Sequence, residues 1–132
     1  FTSRAWQTRN LNLTIADPDG IVSIANDQFT LQAGSYYIEA VAPSFGVNEN
    51  VARLYNVTDS AVSQYGSQSY ARYSTGDLGD SKAIVYARVT ITGATTFEIQ
   101  HRCDDTKANN GFGVGSNLAE EIYTVVKIFK EA

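Results

Sequence analysis

The chain has 132 residues, 43% of them hydrophobic and 18% charged, which suits one globular domain of residues 1–132 and excludes a disordered segment. A net charge of -4 and a pI near 4.8 argue against a protein that tracks nucleic-acid phosphates. One cysteine, Cys103, excludes an internal disulfide, and no apolar run approaches the ~20 residues of a membrane-spanning helix.

Residues 4 to 16 read as a strand, with Leu11, Leu13 and Ile15 alternating with Asn12 and Thr14. Asp17-Pro18-Asp19-Gly20 is a turn. Ile21 to Ala25 and Phe29 to Leu31 read as short strands around a polar kink at Asn26-Asp27, and Ala33-Gly34 is a further turn. Ser35 to Ala42 is a strong strand that puts Tyr36, Ile38, Ala40 and Ala42 on one face. Pro43 is expected to end it, with Ser44 to Asn50 a loop. Val51 to Thr58 follows, then a turn at Asp59-Ser60 and a return strand Ala61 to Tyr65.

Gly66 to Asp80, rich in Ser, Gly and Tyr, reads as the longest irregular stretch. Lys82 to Thr92 and Thr95 to Cys103 are strands separated at Gly93, and Asp104 to Asn110 is a polar loop. Gly111 to Gly115 reads as short and extended. In Ala119 to Glu131, Ile122, Val125, Val126 and Phe129 fall at helical spacing. The β-branched run Ile122, Thr124, Val125, Val126 and Ile128 favours a strand. Such a strand would carry Ile122, Thr124, Val126 and Ile128 on one face and Tyr123, Val125, Lys127 and Phe129 on the other. Neither face is polar, so both require cover. Eight to ten strands with little or no helix predict an all-β antiparallel sandwich or barrel, with a two-sheet jelly roll expected.

No catalytic constellation stands out. His101 and Cys103 would share one face of a strand with Phe97 and Ile99, so Cys103 is expected to be buried and inert, with a base and a nucleophile as the alternative reading of the pair. Asp17, Asp19, Asp77, Asp80, Asp104 and Asp105 sit in loops, where they are either solvated charge or carboxylate pairs for calcium or glycoside hydrolysis. Gly111-Phe-Gly-Val-Gly-Ser-Asn lacks the Gly-Lys-Ser/Thr of a phosphate loop. Asn12-Leu-Thr14 and Asn56-Val-Thr58 match the glycosylation triplet. No cofactor or metal site is expected. The single tryptophan, Trp6, reads as core or interface packing. The loop holding Tyr65, Tyr70, Arg72 and Tyr73 has the composition of adaptable binding surfaces, or of tyrosines packed on a sandwich. Tyr70, Arg72 and Tyr73, with Phe45 and Asn48 of the other long loop, are the candidate binding contacts.

Phe29-Thr-Leu-Gln-Ala-Gly-Ser-Tyr-Tyr-Ile-Glu-Ala resembles the Phe…Gly-x-Tyr strand of the tumour-necrosis-factor-like jelly roll, with Gly34 and Tyr36 on the pattern. Ala52-Arg-Leu-Tyr-Asn-Val-Thr-Asp, and Phe97-Glu-Ile-Gln-His-Arg-Cys-Asp with Asn110-Gly-Phe-Gly-Val-Gly-Ser-Asn, resemble the C-terminal domain of bacteriophage and prophage tail fibres. The likeness covers residue 29 onward. It implies a homotrimer behind a fibrous stalk, with the C-terminal strand turned to the three-fold axis. Tyr123, Val125 and Phe129, with Tyr55, are then expected at the trimer interface. It further implies a virion protein that recognises a bacterial surface receptor, typically a glycan, without membrane insertion, and makes Tyr70, Arg72, Tyr73, Phe45 and Asn48 the expected receptor contacts. A structural trimerisation cap and a glycan-hydrolysing tailspike domain are the alternatives. The chain contains no methionine, so it is expected to be a fragment cut from a longer protein or a processed form, and the resemblance implies the C-terminal part of a fibre protein.

Overall fold

The computed structural model describes residues 1–131, and these form an all-β, antiparallel fold with no helix among them. Twelve strands follow in order: β1 Gln7–Thr8, β2 Val22–Ala25, β3 Gln28–Leu31, β4 Gly34–Phe45, β5 Asn48–Asn56, β6 Ala61–Tyr65, β7 Ser69–Ala71, β8 Tyr73–Ser74, β9 Asp77–Leu78, β10 Asp80–Ile91, β11 Thr95–Cys103 and β12 Val125–Lys130. The larger sheet runs β2-β3-β11-β5-β6, with β1 added on β11 and β7 on β5. The smaller runs β10-β4-β12, and β8 and β9 form a separate hairpin.

The two sheets face each other because each has an apolar inner face of period two. Phe29, Leu31, Ala52, Leu54, Phe97 and Ile99 come from the larger sheet. Tyr36, Ile38, Ala40, Ala42, Ala83, Val85 and Ala87 come from the smaller. Val126 and Ile128 of β12 pack against the same core. The β2–β3 turn has two residues, and Asn26 and Asp27 have φ of 55° and 60°, the geometry that matches the strand twist in a tight hairpin.

The strand expected at 119–131 forms, but only from Val125, and Ile122 is 57% exposed instead of sharing the core face of Val126 and Ile128. Pro43 does not end β4, which continues to Phe45. Its carbonyl accepts from Arg9 Nη1 at 2.8 Å, away from β10. The imide nitrogen faces the same way, where β12 stops pairing at Val41 and no partner needs an N–H. The expected loop 44–50 is therefore only the link Gly46-Val47, with Gly46 at φ 61°. The expected strand 4–16 shrinks to β1: Arg4 has φ 58°, and Leu13 and Ile15 are 64% and 71% exposed. The stretch 66–80 is not irregular throughout but holds β7, β8 and β9. Gly111 to Gly115 contains no strand; the segment enters it on a turn.

Candidate functional site

One end of the sandwich collects the C-terminal ends of β4 and β11 and the N-terminal ends of β5, β10 and β12. Of the candidate receptor residues, Asn48, Tyr70, Arg72 and Tyr73 meet there. Asn48, at φ 55°, accepts the Tyr73 N–H on its Oδ1 at 2.8 Å and donates its amide to the Asp105 carboxylate. Val47 and Gly79 donate to the carbonyls of Ala71 and Arg72 at 3.0 and 2.9 Å. The stretch 70–79 is thus laced to the start of β5. Arg72 pairs with Asp77 at 2.7 Å across the β8–β9 hairpin. That contact favours the guanidinium charge, and the pair stays exposed. Tyr70 and Tyr73 are 55% and 51% exposed, so neither is consumed by packing. Phe45 lies apart from them. It lines a groove of about 660 Å³ with Leu78, Lys82, Val114, Tyr123 and Val125.

A buried polar cluster fixes this end. Arg9 is 2% exposed, with its guanidinium 4.1 Å from the Phe112 ring. Its Nε donates to Thr124 Oγ1, and Nη1 and Nη2 donate to the carbonyls of Pro43 and Phe112, each at 2.8 Å. One side chain therefore joins the N-terminal segment to β4, to the 104–124 segment and to the approach to β12. Burial lowers its pKa to about 10, which leaves it charged at neutral pH. Nη1 also lies 3.3 Å from His101 Nδ1. An arginine can only donate, so Nδ1 keeps its lone pair and Nε2–H donates to Asn50 Oδ1 at 2.9 Å. Burial first, and the Arg9 charge second, push His101 down to about 3.

Cys103 is buried as expected, with Sγ 3.2 Å from the Asp105 carbonyl. Burial raises its pKa to about 11, so it is a thiol at neutral pH. His101 is held by Arg9 and Asn50, not by Cys103. Several loop aspartates have structural partners. Asp17 accepts the Ile21 and Val22 amides, Asp104 pairs with Arg4, and Asp105 and Asp77 are engaged as above. Among the described residues no three His, Cys, Asp or Glu side chains converge on a metal-sized site.

The candidate interface residues divide between two faces. On the outer face of the smaller sheet, strand register sets Ile84, Val41 and Val125 in one row. Tyr86, Glu39 and Lys127 form the next, then Arg88, Tyr37 and Phe129. Tyr37 and Phe129 stack at 6.2 Å, and Phe129 is 53% exposed. Tyr123 continues this surface into the groove beside Phe45. Tyr55 lies elsewhere. It alternates with the core residue Leu54, which turns it to the outer face of the larger sheet, away from the other three.

That outer face holds residues that sequence reasoning did not assign. The Arg53 guanidinium lies 3.9 Å from the Trp6 ring and 5.0 Å from the Tyr55 ring. Trp6 and Tyr65 approach at 6.1 Å. Trp6 is half-buried under the arginine and not in the core. Alternation along β5 marks Arg53 as outward, but nothing local to Trp6 shows where β1 delivers it. No family model and no curated protein matches the sequence.

Proposed function

We propose that this domain is the receptor-binding tip of a bacteriophage tail fibre, a homotrimeric jelly roll that recognises a bacterial surface glycan. The carrying observation is the outer face of the smaller sheet. Its rows Ile84-Val41-Val125 and Tyr37-Phe129, the latter ending at Arg88, are largely apolar, and a single copy covers Ile84, Val41, Val125 and Tyr37 only in part and leaves Phe129 53% exposed. Monomeric proteins rarely expose contiguous apolar area of this kind, and packing of three copies would hide it. The sheet orders β2-β3-β11-β5-β6 and β10-β4-β12 are compatible with a tumour-necrosis-factor-like jelly roll, and β12 lies on the face that the trimer would bury. Receptor contact is assigned to the end that carries Tyr70, Arg72 and Tyr73, with Asn48 as their anchor and Phe45 in the adjoining groove.

The test is binding of the purified domain to bacterial cells and to a panel of their surface glycans, beside a light-scattering mass. Binding by a trimer that is lost in the Tyr70→Ala/Arg72→Ala/Tyr73→Ala variant, with melting temperature kept, supports the reading. A trimer that binds no cell or glycan leaves the structural cap in its place. A specific observation favours that second reading: the Arg72–Asp77 and Tyr73–Asn48 contacts already engage part of the loop internally.

A further inference from the structure

We propose that the outer face of the larger sheet is a binding platform for a carboxylate-bearing sugar, centred on Trp6, Arg53 and Tyr65. This rests on the glycan reading above and adds a subsite on the sheet face to the contact assigned to the 70–73 loop. Register puts Tyr65 beside Arg53, and Arg53 beside Gln100 of β11. A β-bulge between Leu54 and Tyr55 brings Val62 beside Tyr55 and keeps Tyr65 on the outer face. Tyr65 is 55% exposed, so its ring is open to a ligand. Aromatic rings suit the apolar face of a sugar.

The charge of the platform selects the class of sugar. Arg53 Nε donates to Gln100 Oε1 at 2.7 Å, while its two Nη groups donate to nothing among the described residues. Neither Arg53 nor Arg102, which lies 6.0 Å from the Trp6 ring, forms an ion pair among them. The nearby carboxylate of Glu98 is largely buried and accepts from Gln28 and Gln100 instead. Arg53 and Arg102 share this surface with the carboxylates of Glu49 and Glu98, so the face is balanced overall, and the charge that selects the ligand is the unpaired Arg53 fork itself. The planar Arg53 fork, held flat against Trp6, is shaped for bidentate contact with a carboxylate. A nucleic acid would need a longer basic track than two arginines supply. Tyr70 extends the same face: it pairs with Glu49, and its neighbour Ala71 is buried. Four residues separate Glu49 from Arg53 along β5, roughly 13 Å at the rise of a strand, so the surface offers an extended chain more than one contact.

The probe is an oligogalacturonate, compared with the same oligosaccharide after its carboxyl groups are reduced to alcohols, titrated into the domain by calorimetry. The acidic form should bind and weaken as salt rises, and the reduced form should bind at least about tenfold more weakly. Arg53→Gln and Tyr65→Ala should each lower affinity about tenfold or more with melting temperature unchanged, while Arg72→Ala/Tyr73→Ala, which spares Tyr70, should keep most of it. Oligogalacturonate binding that survives Arg53→Gln overturns the platform and leaves the receptor reading standing. Binding to cells without binding to the acidic probe overturns the assigned sugar class. Displacement of the sugar by a single-stranded oligonucleotide at lower concentration overturns it in favour of nucleic acid. Absence of all binding, cells included, removes both proposals.

Discussion

Arg9 and His101 carry a burden that their positions in the sequence conceal. Alternation through residues 4–16 puts Arg9 on the same face as Leu11, Leu13 and Ile15, where a charge looks misplaced. Its acceptors belong to residues 43, 112 and 124, so no local signal exists. Replacement by Met should leave buried carbonyls unpaired and destabilise the fold by about 2–4 kcal/mol, measured by urea unfolding. His101 carries a pH dependence. Its folded pKa is about 3 against 6.5 unfolded, so the unfolded chain takes up the proton first. This contribution to stability is intact above pH 6.5 and is lost as pH falls from there toward 3. At pH 5 the loss should be about 2 kcal/mol, and His101→Gln should flatten that part of the profile. The imidazolium cannot form beside Arg9 without putting an N–H against an N–H. The cysteine was simpler to read: alternation with Phe97 and Ile99 was enough to place Cys103 inside.

At the scale of elements, the strands most legible in the sequence were those with a strict two-residue period and a turn at each end. The two strands flanking Asn26-Asp27, and those of residues 51–58, 61–65, 82–92 and 95–103, all form, their ends shifted by a few residues. What failed were rules of local punctuation. Pro43 reads as a stop, yet its missing N–H costs nothing where β4 has no neighbour on that side. Residues 10–16 alternate, and Ile122 and Thr124 belong to a β-branched run, but neither stretch has a strand partner to pair with, and pairing is what separates a strand from an extended segment. The candidate site followed the same division. Composition left Tyr70 and Tyr73 open between a binding surface and packing on the sandwich, and only the structure shows both rings exposed. The contacts that tie their loop to Asn48, and the approach of Trp6 to Arg53, join distant parts of the chain. For β12 the β-branched run was decisive, and its inward residues now give a quantity to test. Ile128→Ala removes a partly buried side chain from the edge of the core and should cost about 2 kcal/mol by chemical denaturation. Lys127→Ala, one residue away and exposed, should cost less than about 0.5 kcal/mol.

For the whole molecule, the outer surfaces of the two sheets differ in kind. The smaller sheet shows apolar and aromatic rows beside the Glu39–Lys127 register pair and the Arg88–Glu131 ion pair. The larger shows arginines, glutamines and aromatic rings. Under the proposed assembly the first is covered by copies of the same chain and the second stays free for a ligand. Val125→Glu with Phe129→Glu should convert a trimer to a monomer by light scattering at micromolar concentration, with the strand content by circular dichroism retained. Wild-type protein already monomeric under those conditions would remove the assembly from the proposal. Tyr55 serves as the control: on the opposite outer face, Tyr55→Ala should leave the mass unchanged if the smaller sheet alone makes the contact.

The place of β4 has a consequence for the order in which the molecule can be made. Both of its partners lie far along the chain: Val41 pairs with Ile84 on one side and Val125 on the other. A chain emerging residue by residue holds β4 ready long before either neighbour exists. Until residue 125 is available, one edge of an apolar twelve-residue strand stands open to any other strand nearby. Closure of so long a loop belongs with the slow end of two-state folding, milliseconds to seconds. If copies assemble as proposed, nascent chains would meet while that edge is still open, and correct pairing within each copy would have to outrun pairing between them.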